Sequence, residues 1–264
     1  MVNQVSVLTG AIQYEFKMQI RRRALWSTFI IVFGLFALFF ATSSFLKEMP
    51  SFLAHNTLIT TLVFWTFYVN TYMPICVGVL LADRLPRDRK LKVDELLGTF
   101  PARFDARLIG KYLGSMLATL TPMFLFYVLG LFYITVVSAN ILALPLGLVT
   151  FLVIVIPGML FISAFSIACP AIMSVPVYQF LFIGYWLWGN IFWFRTEIPT
   201  LGRTILSPIG IYMAFGIFGG GGFDTKGIHA TFLDGVASMV VQIGIALLVL
   251  FALVRYLRWR QEHQ

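Results

Sequence analysis

Long apolar runs divide the chain. Over about residues 24–46, 57–82, 108–137, 145–169, 177–194 and 235–256, Phe, Leu, Ile, Val, Ala and Gly follow one another almost without charge. Each run reaches or comes close to the roughly 20 residues that a helix needs to cross the hydrocarbon core of a bilayer. The runs are continuous, whereas strands of a membrane β-barrel alternate polar and apolar positions. The pattern predicts an all-α integral membrane protein: six transmembrane helices with short connections, in a single transmembrane domain over residues 1–264.

Two segments depart from this pattern. Residues 9–23, TGAIQYEFKMQIRRR, place Ile12, Phe16 and Ile20 at helical spacing. They predict an N-terminal interfacial helix, lying at the membrane surface with its bases among lipid headgroups. Residues 204–223, TILSPIGIYMAFGIFGGGGF, form a 20-residue uncharged run that resembles a seventh span. Ser207-Pro208 and four consecutive glycines oppose one continuous helix there. The expectation is a pair of short re-entrant or surface-lying helices, within an outer region at 198–230 that precedes the last span.

Composition strengthens the membrane reading and explains the charge. Only 11% of residues are charged and 59% are hydrophobic, against ~25% charged in soluble domains. The net charge of +8 need not mean nucleic acid, and none is expected as a partner. Lys and Arg accumulate on the cytoplasmic side of membrane proteins. With a cytoplasmic N-terminus, 15 of the 19 Lys and Arg residues fall inside. A seventh span would carry the basic C-terminal stretch to the other side, so both termini are expected in the cytoplasm. The first apolar run is too long for a signal-peptide core and should be retained.

The charge is concentrated. Thirteen of the chain's 30 Asp, Glu, Lys and Arg residues lie between Asp83 and Lys111. Pro86 can open a helix there, Gly98 can end it, and Pro101 begins the segment that enters the third run. A positive-inside anchor would account for the bases alone. It does not require Asp83, Asp88, Asp94, Glu95 and Asp105 among them. A short helix carrying Leu91, Leu96 and Leu97 also suits docking into a partner's groove.

Several chemistries lack their residues. No P-loop is present: Gly110-Lys111 is followed by Tyr112, and Asp105 stands where its first glycine would be. The chain is therefore not expected to be an enzyme by itself. His55, His229 and His263 are scattered, with no clustered metal-ligand pattern, so neither a metal nor a cofactor is expected in this chain. Cys76 and Cys169 lie in apolar runs and do not suggest a disulfide framework. The polar residues within spans are mild. Thr66, Asn70 and Tyr72 on the second span and Asn190 on the fifth either line a substrate path or hydrogen-bond neighbouring helices. Pro74, Pro122 and Pro157 predict kinks.

The stretch ADRLPRDRKLKVDELLGTFPARFDARLIGKYLG resembles the loop between the second and third spans of ABC-2-type permeases, the membrane subunits of type-2 ABC transporters. Its matching positions are Asp83, Arg84, Asp88, Glu95, Leu96, Leu97, Pro101, Gly110 and Lys111. The interfacial helix, the six spans and the short outer helices extend the resemblance over essentially the whole chain. The resemblance implies a cytoplasmic coupling loop at 83–107 with a coupling helix ending near Leu97, seated in a cleft of a separate ATP-binding subunit. Arg87, Asp88, Lys92, Asp94, Glu95, Leu96, Leu97 and Pro101 would form the ATPase-coupling surface. Two such subunits, binding ATP and Mg, would pair with two permease chains, identical or sibling, in a bacterial inner (cytoplasmic) membrane. The implied activity is export of a substrate, with an uncharged aromatic path suiting a lipid-like, amphipathic or drug-like one. The alternative is an integral-membrane scaffold or assembly factor whose loop docks a cytosolic partner without transport.

Overall fold

The computed structural model describes residues 4–42, 50–53, 55–90, 104–195, 197–219 and 227–263. Among them the regular structure is entirely helical. Helix α1 (Gln4–Ile20) is followed after a short break by α2 (Arg23–Thr42). Next come α3 (Leu58–Tyr72), α4 (Pro74–Leu81) and α5 (Arg84–Lys90), then the 35-residue α6 (Phe104–Ser138). A third long stretch consists of α7 (Ala143–Thr150), a π-helical turn (Phe151–Val155) and α8 (Ile156–Ala168). The chain ends with α9 (Val175–Gly189), the six-residue α10 (Ile211–Gly216) and α11 (Phe232–Glu262).

Local sequence sets several of these ends. The Thr57 hydroxyl accepts from the Thr60 amide at 3.3 Å and caps α3. Thr231 and Asp234 form a reciprocal capping box at the start of α11, which satisfies two otherwise unpaired amides. Pro74 and Pro157 sit in the first turns of α4 and α8, where a missing N–H costs least. Pro122, by contrast, lies inside the continuous α6.

Four stretches are long and apolar enough to cross a membrane: Leu58–Asp88, Phe104–Ser138, Ala143–Ala171 and Phe232–Arg260. Their outward residues include Leu129, Val136, Leu152, Leu233, Leu248 and Phe251, all exposed. So broad an apolar exterior belongs in lipid rather than water. The chain is an all-helical, multi-pass membrane protein.

Side-chain contacts fix the directions of the helices. Arg22 pairs with Asp83 while Phe36 meets Tyr68 and Tyr72, so α2 runs antiparallel to α3–α4. Lys111 pairs with Asp88 and the Trp65 indole donates to the Tyr127 carbonyl at 3.0 Å, which sets α6 antiparallel to α3–α5. Tyr127 meets Thr150, and the Tyr112 hydroxyl donates to Leu160 O at 2.9 Å, turning α7–α8 back along α6. Gln179 donates to Val79 O at 3.1 Å and Trp186 to Thr71 O at 2.7 Å, so α9 also opposes α3–α4.

The run at 204–223 is no continuous helix. Residues 204–210 are irregular, Gly210 adopts φ +81°, and only α10 is helical; residues 220–223 lie outside the described residues. Six residues rise only about 9 Å. The segment enters the bundle nonetheless, with Ser207 and Ile209 buried. Non-helical backbone at membrane depth must have its polar groups satisfied by protein or water. Here Ser238 donates to Ile205 O at 2.7 Å, Gln242 to Ser207 O at 2.8 Å and Asn70 to Pro208 O at 3.1 Å.

Candidate functional site

The described part of the charged segment begins at α5, which continues the helical stretch from Leu58 through Asp88. Its inner face meets α1 and the start of α6. Two glycines allow that approach. A Cβ at Gly110 would stand 2.5 Å from the Ala11 Cβ, and one at Gly114 would stand 2.6 Å from Ile12 O. Contacts that short do not occur between real side chains and backbone, so glycine is required at both positions if α1 is to lie where it does. The buried face of α1 then carries Glu15 and Gln19, not the apolar positions Ile12, Phe16 and Ile20, which are only partly covered.

Glu15 is met by Arg84. The guanidinium Nη2 lies 2.6 and 2.8 Å from the two carboxylate oxygens, and Nε lies 3.1 Å from one of them. On its other side Arg84 Nη1 donates to Asp88 Oδ1 at 2.5 Å, one helical turn away. The second Asp88 oxygen pairs with the Lys111 ammonium from α6. Two acids and two bases thus form a neutral quartet, with every side chain less than 10% exposed. Burial pushes the Glu15 carboxyl up from its ordinary value, while the charge and hydrogen bonds of Arg84, and then Lys111, pull it back. Around the quartet, Arg22 binds Asp83 at 2.7 Å, and Arg258 of α11 pairs with Asp105 of α6.

Among the described residues, the interspersed acids therefore have intramolecular partners. Asp83, Asp88 and Asp105 each pair with a base from another element, and Glu15 draws α1 into the same cluster. Chemically the arrangement is a clasp. It gathers α1, α2, α5, α6 and the C-terminal helix at one end of the bundle.

The structure separates the residues expected to dock a partner. Asp88 is buried in the quartet and cannot be presented outward, whereas Arg87 is exposed. Lys92, Asp94, Glu95, Leu96, Leu97 and Pro101 lie outside the described residues. No protein-family model matches the chain, and no curated protein matches it.

The four polar span residues also divide. Thr66 is buried, donating to Leu62 O at 2.7 Å and lying 3.0 Å from the Tyr127 hydroxyl and 2.9 Å from Thr150 Oγ1. Asn70 bonds the irregular outer segment, and Asn190 accepts from Ser207 Oγ at 3.5 Å. Thr66 joins helices to one another, while Asn70 and Asn190 tie helices to the irregular segment. Tyr72 alone is exposed, edge-on to Phe36 and beside Tyr68. Sequence reasoning missed Glu15 and the glycine seat of α1. The spacing Gly110-x-x-x-Gly114 carried the signal, because small residues four apart let membrane helices approach closely.

Proposed function

We propose that the chain is the membrane permease of a type-2 ABC exporter, driven by a separate ATP-binding subunit docked on the charged segment that begins at α5. The observation that carries this reading is the clasp. It holds the base of the segment against α1, the start of α2, α6 and α11 at one end of an apolar bundle, so a push on residues 86–100 would reach four helices at once. A loop that only enforced orientation would have no need of a buried, fully paired quartet at its root.

The same pairs support six crossings. Arg22, Arg84, Lys111 and Arg258 share one end, so the chain must cross an even number of times between each successive pair that spans the bundle. The long apolar stretches, together with α2 and the antiparallel α9, meet that condition, with both termini and the coupling segment in the cytoplasm of a bacterial cell. Two permease chains and two ATPase subunits would form the working unit, and the substrate would be lipid-like, amphipathic or drug-like.

The reading is tested by replacing Glu95, Leu96 and Leu97 with alanine and reconstituting the variant with its ATPase in vesicles. Insertion should persist while ATP turnover continues without transport. Full transport in the variant would remove the coupling role from this segment. A chain that docks a cytosolic protein but never moves a substrate would instead be a scaffold.

A further inference from the structure

Three breaks in regular backbone converge on Asn70. Helices α3 and α4 meet at Met73–Pro74, only one turn beyond it. The π-helical turn Phe151–Val155, followed by Pro157, brings the Ile154 carbonyl 3.4 Å from Asn70 Nδ2. The irregular outer segment brings the Pro208 carbonyl 3.1 Å from the same nitrogen. The fit is tight: a Cβ on Gly158 would stand 2.2 Å from Pro208 O, and one on Gly210 3.3 Å from Ile154 O. Pro74 also removes the N–H that would pair with the Asn70 carbonyl in an unbroken helix. Three such interruptions, each costly in a membrane, fall at one place.

Two of the groups left over there are amide oxygens. Asn70 and Gln242 are fully buried, and both spend their amide nitrogens on carbonyls of the outer segment, Gln242 at 2.8 Å from Ser207 O. Asn70 Oδ1 and Gln242 Oε1 are buried with no hydrogen-bond partner. A buried unpartnered acceptor costs about 1–3 kcal/mol, and two beside one turn call for a ligand that answers oxygen lone pairs. Because the two amides bond consecutive residues, Ser207 and Pro208, their free oxygens flank the same turn. The C-terminal end of the 15-residue α9 reaches this turn too, where Asn190 accepts from Ser207 Oγ. The partial negative charge of a helix C-terminus favours a cation.

We propose that Asn70 and Gln242, with the carbonyls of Ile154 and Pro208, bind a dehydrated monovalent cation of the Na⁺ or K⁺ class, which locks the re-entrant turn into the bundle. Neutral oxygens alone suit a single charge, since divalent ions of this type recruit carboxylates. Unwound backbone and carboxamides in a membrane are a known means of replacing an alkali ion's water. The site does not depend on which protein docks at the opposite end.

The test is the melting temperature of the purified full chain in detergent, titrated with NaCl, KCl or choline chloride at matched ionic strength. A saturable rise of roughly 5–10 °C is expected in Na⁺ or K⁺ at about a hundred times the dissociation constant, and none in choline. Gln242→Ala should abolish it. Asn70→Asp adds a negative charge beside the carbonyls and should lower the half-saturating concentration roughly tenfold. Equal melting temperatures in the three salts would mean that ordered water alone fills the site, and would overturn the proposal. So would an ion-specific rise that survives in both Asn70→Ala and Gln242→Ala.

Discussion

Arg84 is the residue on which the charged end of the bundle turns. It answers Glu15 and Asp88 together, in a place nearly closed to water. Removing one partner of a buried ion pair leaves an uncompensated charge and costs about 3–5 kcal/mol. Arg84→Ala should therefore destabilise the protein by that amount, seen as a lowered unfolding midpoint in detergent. Glu15→Gln with Arg84→Met should cost less than the two single changes summed, because Asp88 and Lys111 then remain as a balanced pair. A strictly additive double variant would show that the quartet does not act as one unit. Only the Arg84–Asp88 pair, four residues apart on one helix, has a local signal in the sequence. Positions 15, 84 and 111 are distant along the chain, and a lone sequence does not say which acid meets which base. The composition gave only the excess of acids that orientation leaves unexplained.

At the scale of elements, apolar run length was the informative signal. It marked the four stretches that are long and apolar enough to cross a membrane, because a bilayer sets a minimum length for a crossing helix. It was less informative where an element is held by something other than apolarity. The second run is expected to stop near residue 82, but the helical stretch continues through Asp88, since Arg84 and Asp88 find charges inside. For α1 the apolar positions suggest a helix resting on lipid, yet its buried face is Glu15 and Gln19. Glycine contacts rather than hydrophobicity decide that placement. The irregular 204–210 segment is the reverse case: Ser207-Pro208 argued against a helix, and its carbonyls are met by side chains from α3 and α11. Gly158 makes room for it. Gly158→Ala would put a methyl 2.2 Å from Pro208 O, a backbone atom that cannot swing aside. The segment should be displaced, so a cysteine at Ser207, buried otherwise, should become reactive to an impermeant maleimide once Cys76 and Cys169 are replaced. Unchanged protection would mean that the turn can shift without leaving its seat.

For the whole molecule, the ion pairs act as a topological constraint. They place α1, the described root of the charged segment and the end of α11 at one end, and leave the irregular 204–210 segment and the capped start of α11 at the other. In inverted and right-side-out vesicles, cysteines at Arg87 and at Gly227 should be labelled from opposite faces, Arg87 from the cytoplasm. Labelling of both from one face would break the six-crossing arrangement. The decisive matter is what meets the charged end. A photo-crosslinking residue at Leu96, in the chain co-expressed with the ATP-binding subunit encoded nearest to it, measures that contact directly. The account predicts a covalent adduct with that subunit from position 96 and none from Leu233 on the opposite end. An intact, membrane-inserted chain that forms no such adduct from position 96 would contradict it.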